Sequence, residues 1–477
     1  MKRVVAAAPL VLFLAGCVPG GVLPQQTAIA TDTLGLGTRE APPSSKNWWT
    51  AFGDPELDRL VAQALANNPT LGEALARLRA AKADVASANS ALYPQLDFDA
   101  QEQRTRLSDI YIYPPPYAGT FQWVGTIEAN LSWDIDFWGK EATQLDKAKS
   151  LQGAARFDAA AARLAVTGAL VQAYVDLDRA YRLADIAART QSERQDTLSL
   201  TRRRVKDGLD SQVEEQEAQA LLAQARENRA AADSDCEIVM HEIAALIGRG
   251  ADAYPTIGRP AITLDAALAL PDTLPADLLG RRPDVAAAHA RIDAALAGRK
   301  VAETAFYPDV NLAASAGWAA IGLSPLFSAT SLQYGAGPAI HLPIFDAGKL
   351  RADYAGATAE LDFAIADYNS VLVNAVRQTA DALTRIHSLV QQQAEHRHML
   401  DAAETGYRLA ETRYRTGLAN QLTVLNAQDV LLEARQGDVA LGADGAVQRV
   451  TLLLALGGGF EPDNAVSPAS GHQDHLP

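Results

Sequence analysis

Phe121-Gln122-Trp123-Val124-Gly125-Thr126-Ile127-Glu128-Ala129-Asn130-Leu131-Ser132-Trp133-Asp134-Ile135-Asp136-Phe137 alternates without a break. Odd positions carry Phe, Trp, Gly, Ile, Ala, Leu, Trp, Ile and Phe; even positions carry Gln, Val, Thr, Glu, Asn, Ser, Asp and Asp. Successive side chains of a strand point to opposite faces, so this pattern predicts a long β-strand with one greasy and one wet face. Leu96, Phe98 and Ala100 begin a weaker partner strand, with Tyr111-Ile112-Tyr113-Pro114-Pro115-Pro116 as the loop between them. The two form a β-hairpin over about 95–138. If the greasy face meets lipid, Glu128, Asp134 and Asp136 on the wet face line a pore.

The same arrangement is written a second time. Val310, Leu312, Ala314, Ala316 and Trp318 alternate with smaller or polar residues, and Leu332, Tyr334, Ala336, Pro338, Ile340, Leu342 and Ile344 form a return strand, a hairpin over 309–345. Around it the landmarks repeat. Asn68-Pro69 and Tyr93-Pro94 are answered by Arg282-Pro283 and Tyr307-Pro308, about 214 residues later. Gly139-Lys140, Gly208-Leu209 and Leu246-Ile247-Gly248 are answered by Gly348-Lys349, Gly417-Leu418 and Leu456-Gly457-Gly458, at about 209–210. The step changes only between the Tyr-Pro and Gly-Lys landmarks. A period this long marks a duplicated domain rather than a solenoid.

Proline is absent between Pro116 and Pro255 and again between Pro343 and Pro462. Proline breaks helix interiors, so both windows are free to hold very long helices. Residues 141–205 are rich in strong helix formers, and 65 residues at about 1.5 Å each make a rod of roughly 100 Å. Tyr354, Leu361, Tyr368, Ala375, Ala382 and Leu389 fall at strict sevens, as do Leu418, Leu425, Leu432, Val439, Ala446 and Leu453, which mark coiled-coil seams. Gly208 and Gly417 supply left-handed turns after each long helix. Each copy therefore reads as a β-hairpin followed by a long helical hairpin, with helices over 141–247 and 349–456.

Four strands cannot close a water-filled barrel, and open strand edges are forbidden in lipid. Several chains must pool their strands; two chains give eight, a filled interior, and three give twelve, which leaves a lumen.

The N-terminus predicts where this happens. Lys2-Arg3, a short apolar run and Leu14-Ala15-Gly16-Cys17 read as a signal peptide (1–16) ending in a lipobox, with Cys17 as the acylated residue. Val18 after the cysteine favours the outer membrane by resemblance to bacterial sorting rules. Segment 17–67 is then an extended lipid-anchored arm, 68–254 and 283–458 the two repeats, 255–282 a Pro-rich linker and 459–477 a disordered tail. Forty-two basic against 57 acidic residues, with no basic cluster, argue against nucleic-acid binding. With Cys17 acylated only Cys236 remains, so no intrachain disulfide forms. No zinc helix, nucleophile elbow or phosphate loop is present, and His387, His396 and His398 lack ligand spacing. The expectation is no catalytic residue, no metal and no cofactor beyond the lipid.

Trp48-Trp49, Phe52, Asp54-Pro55, Leu57, Leu274-Pro275, Leu278-Leu279 and Arg282-Pro283-Asp284-Val285 resemble the lipoprotein branch of the outer-membrane efflux proteins, the TolC/OprM/NodT group. Tyr414-Arg415-Thr416-Gly417, Leu422, Leu425 and Asn426-Ala427-Gln428 resemble its helical-tip motif, and the likeness covers roughly 45–458. The resemblance implies a homotrimer with a twelve-stranded barrel continuous with a periplasmic α-helical tunnel. It also implies a periplasmic adaptor, a resistance-type inner-membrane pump and the export of drugs or toxic compounds. The tips around Gly208, Leu209, Gly417 and Leu418 would face the adaptor. Aligned on the glycines, Glu214 falls where TolC-like members place a linking aspartate and Tyr414 matches a linking tyrosine. Thr423 and Asn426 stand where many members carry further aspartates, which argues against an acidic ring there. The resemblance implies a periplasmic gate where the tunnel narrows at these tips, with Glu214 and Tyr414 in it, Arg413 and Arg415 as candidate partners of Glu214, and Asp207, Asp210 and Asp429 as further carboxylates at the same level.

Overall fold

The computed structural model describes residues 23–37 and 45–460, apart from 267, 269, 272, 274, 276 and 277. Cys17, the residues after Phe460, and with them the lipobox and tail readings, lie outside the described residues. The elements follow the duplication closely. The first copy runs α1 (Pro55–Asn67), α2 (Pro69–Ser90), β1 (Gln95–Arg106), β2 (Phe121–Asp134), α3 (Lys140–Lys206) and α4 (Gln212–Leu246). The second runs α5 (Pro283–Thr304), β3 (Asp309–Ile321), β4 (Leu332–His341), α6 (Lys349–Arg415) and α7 (Gln421–Ala455). Helices α3 and α6 each have 67 residues, α4 and α7 each 35, and α2 and α5 each 22. The unequal step comes from the hairpins, whose strands and loops differ in length.

The chain divides into two compact units. The first (up to 28, 77–156 and 287–369) holds the strands, one antiparallel sheet in the order β1-β2-β3-β4. Its register sets the odd residues of β2 beside the even residues of β1 and β3, as in Phe98↔Ala129, Ile127↔Trp318 and Leu131↔Ala314. One face is thus apolar throughout the sheet's middle. The opposite face carries Asp97, Asp99, Glu128, Asn130, Ser132, Asp134 and Asn311, and there Asn130 Nδ2 donates to Asp99 at 2.9 Å and Asn311 Nδ2 to Asp134 at 2.5 Å. The strands stop earlier than the alternation predicted. Ile135 N still donates to Val310 O, but the chain then turns away. In β4 the ladder ends at His341, before Pro343, which has no N–H to offer.

Asp136 is the reason for the first turn. Its carboxylate accepts from the backbone N–H groups of Glu141 and Ala142 at 3.1 and 2.8 Å, satisfying donors that the first turn of α3 leaves without intrahelical partners. Asp346 does the same for α6, accepting from Gly348 and Leu350 at 2.9 and 2.7 Å. The residue read as pore lining is therefore a helix cap, shared by both copies.

The second unit (29–76, 157–286 and from 370) holds the main core. Trp48, Trp49 and Phe52, in a short 3-10 turn, and Leu57, Leu60 and Val61 of α1 bury against Leu170, Tyr174 and Leu177 of α3 and Ile243 of α4. Asp54, itself buried, caps α1 through Glu56 N and accepts the Tyr174 hydroxyl and Ala261 N, both at 2.8 Å. Burial and that carboxylate push the Tyr174 hydroxyl far above the usual phenol range. The repeat shows here too. Asn68 Nδ2 donates to Leu246 O at 2.8 Å, and Arg282 Nη1 to Ala455 O at 2.9 Å, so the residue before each Pro–helix start ties the last turn of a return helix. Gly457, at φ 91°, lies where any Cβ would meet the Arg281 carbonyl, which explains the second glycine landmark.

Candidate functional site

Both long helices end in a left-handed glycine, Gly208 at φ 72° and Gly417 at φ 76°, and the return helices begin at once. Ser211 caps α4, while Asn420 Oδ1 accepts Thr423 N at the start of α7. Glu214 closes the α4 cap as the reciprocal partner, accepting Ser211 N at 2.9 Å and the Ser211 hydroxyl. The serine hydroxyl and the backbone N–H groups hold its carboxyl below the ordinary range.

Tyr414 bonds elsewhere. Its ring is 1% exposed and its hydroxyl donates to Asp210 Oδ2 at 2.9 Å. Arg204, six residues before Asp210, grips the same carboxylate from Nε at 2.9 Å and Nη2 at 3.2 Å, and its guanidinium lies 4.5 Å from the Tyr414 ring centre. Burial raises the Tyr414 pKa, and the bond to Asp210 adds to that against opposing effects of Thr201 and Arg204. The Arg204 pKa is raised by its bond to Asp210. Glu214, the expected partner of Arg413 or Arg415, bonds instead to its own helix N-terminus, and the link from Tyr414 to the first hairpin is made by Asp210, another of the tip carboxylates singled out in the sequence. Gln421 Nε2 reaches only the Glu214 backbone carbonyl, at 3.4 Å.

A second set of bonds joins α3 to α7 ten residues, or about 15 Å, back along α3 from Arg204. Arg194, buried, pairs with Asp429 at 2.5 Å. Glu193 accepts from Gln428 and Arg435, each at 3.3 Å. The remaining candidates stay on the surface. Arg415 pairs with Glu411 of its own helix at 2.6 Å, and Arg413 and Asp207 are exposed. Arg204, Arg194, Glu193 and Arg435 are not singled out by the sequence, and Gln428 stands there only as part of the tip motif. A signal was present: Gln421, Gln428 and Arg435 fall at sevens, as do Arg194 and Thr201, a polar seam beside the apolar ones. Among the described residues no group of His, Cys, Asp or Glu is placed to hold a metal, and no helix is long and apolar enough to cross a membrane. His396 bonds the Ala434 carbonyl.

The family model for outer membrane efflux proteins matches residues 60–249 and 274–458. The chain belongs to the outer membrane efflux protein family. Among relatives of this efflux protein, the fusaric acid resistance protein FusA of Burkholderia cepacia is 36% identical over 73% of the chain and 68% of its own length. The multidrug resistance outer membrane protein MdtP of Shigella flexneri is 30% identical over 92% of the chain and 91% of its own. The crystal structure of the outer membrane protein VceC of Vibrio cholerae superposes with a TM-score of 0.82 at 32% identity, covering 88% of the chain and all of VceC. The protein is an efflux channel of the outer membrane with a periplasmic helical tunnel, and the mainly helical architecture with a smaller strand part expected from the sequence is shared with its solved relatives.

Proposed function

We propose that this efflux protein works as a lipid-anchored homotrimer, the exit duct of a tripartite pump that carries small toxic compounds out of the periplasm. The single observation that carries the reading is the sheet: four strands, apolar on one face and polar on the other, with β1 and β4 left as open edges. Edges of this kind are excluded from lipid unless other copies close them. Three copies give twelve strands and a lumen whose wall includes Asp97, Asp99, Glu128 and Asp134. A periplasmic adaptor would dock on the tips, where Leu209, Val213, Leu418 and Leu422 are exposed around Gly208 and Gly417, and a resistance-type inner-membrane pump would load it. The names of FusA and MdtP support toxic small molecules as cargo.

In this reading the tip is the gate. Tyr414–Asp210–Arg204 and Arg194–Asp429 fasten the first hairpin to the second, and parting them opens the duct. The seam is polar, so water solvates its groups on opening, and separation costs less than parting apolar surfaces. The anchor is Cys17. Purified in detergent, the protein should run as a trimer and form channels in planar bilayers; a monodisperse monomer that conducts nothing would sink the duct. Labelled palmitate should enter the wild type and not Cys17→Ser, and incorporation into the mutant would remove the anchor alone.

A further inference from the structure

The loop between β3 and β4 does not continue upward from the sheet. Gly322 N donates to Trp123 O at 2.7 Å, and the chain then folds back along the apolar face. Leu326, 5% exposed, sets its methyl groups over Gly125, 3.2–3.4 Å from where a Cβ would stand. Phe327 lies against Trp318, ring centres 6.3 Å apart. Gly125 and Trp318 share the apolar face, since Gly125 is paired with Ala320 and Ile127 with Trp318. The loop is fixed at two points, Ser331 Oγ donates to Pro325 O at 2.7 Å, and still Leu323 and Phe327 are 60% and 71% exposed.

The height of the loop is set by β2. Trp123 and Trp133 lie ten residues apart on its apolar face. At about 3.4 Å per residue and a tilt near 40°, they are separated by roughly 26 Å along the barrel axis, close to the ~25 Å apolar band of outer-membrane barrels between aromatic girdles. Trp123 marks the edge remote from the helices, and the folded-back loop begins beside it.

We infer that the β3–β4 loop is a wedge in the outer leaflet, with Leu323 and Phe327 inserted among lipid at the boundary of headgroups and acyl chains. An apolar pair this exposed, continuous with the lipid face and held down by Leu326, has lipid as its occupant. The inference rests on the barrel reading above, in which the apolar face meets the membrane.

The test is a nitroxide at Phe327→Cys, in a Cys236→Ala background, reconstituted in vesicles, with Ala129→Cys in mid-strand as reference. Relaxation by dissolved oxygen should exceed that by a water-soluble nickel chelate at both positions, by a smaller ratio at 327. Gly125→Leu should dislodge Leu326 and reverse the ratio at 327 while leaving 129 unchanged. If 129 is lipid-exposed and 327 relaxes only with nickel, the wedge is wrong and the barrel stands. If 129 also relaxes with nickel, the apolar face is not on lipid, and both readings fall.

Discussion

Tyr414 and Asp210 decide the tip at the level of single groups, and Arg204 makes their bond matter. Tyr414→Phe removes one donor and leaves Asp210 gripped by arginine; Arg204→Met removes the charge and leaves the tyrosine. The two changes share one carboxylate, so their effects should be non-additive. Single-channel recordings should show a larger open conductance for each and a coupled gain for the pair, and strict additivity would place the latch elsewhere. Glu214→Ala should fray the start of α4, visible in hydrogen exchange, without widening the channel. The pH dependence follows from the sign of the shift. The Tyr414 pKa is raised above its ordinary value near 10, so the donor's contribution is whole below pH 10 and is lost only as pH climbs through the higher folded value. Conductance controlled through Tyr414 should accordingly be flat from pH 6 to 9. In the core, Tyr174→Phe leaves the buried Asp54 one donor short, a loss of about 1–3 kcal/mol that thermal unfolding in detergent can read.

Caps and turns set where each helix begins and ends. Asp136→Ala should cost about 1 kcal/mol through the start of α3. It should not change ion selectivity as a pore carboxylate would, and a shift in reversal potential would restore the pore-lining role. Gly417→Val puts a branched side chain in the left-handed region and should loosen the second tip by about 1–2 kcal/mol, read as faster proteolysis there. Much of this was legible. The alternation of 121–137 gave β2 and its faces, proline-free windows gave the helices, and the glycines gave the turns. Asp136 was misread because period two continues through it while the backbone does not, and nothing in the pattern says where a ladder stops. The tip failed for another reason: Asp210 and Glu214 are carboxylates four residues apart at the same turn of the first hairpin, and only the Ser211 cap decides which one is already occupied.

Across the whole molecule, the polar face of the sheet makes a charge prediction. Asp97, Asp99, Glu128, Asp134 and Asp309 share it, and in the strands no lysine or arginine does. A lumen lined this way attracts cations and repels anions, more strongly at low salt. Reversal potentials under a potassium chloride gradient should favour potassium, and Asp97→Asn with Glu128→Gln should reduce the preference; a chloride-selective channel would place that face away from the pore. A last consequence follows from the equal lengths, 67 and 35 residues, of the paired helices in both copies. Each residue deleted from one long helix shortens it by about 1.5 Å and turns everything beyond by about 100°. The tip bonds join residues of different copies, so a change in one copy alone would carry Arg194 and Arg204 out of step with Asp429 and Tyr414. The two halves of the gene are thereby yoked. A residue removed from one long helix should therefore be tolerated only when one is removed from the other as well, and the tunnel's length is one quantity written twice.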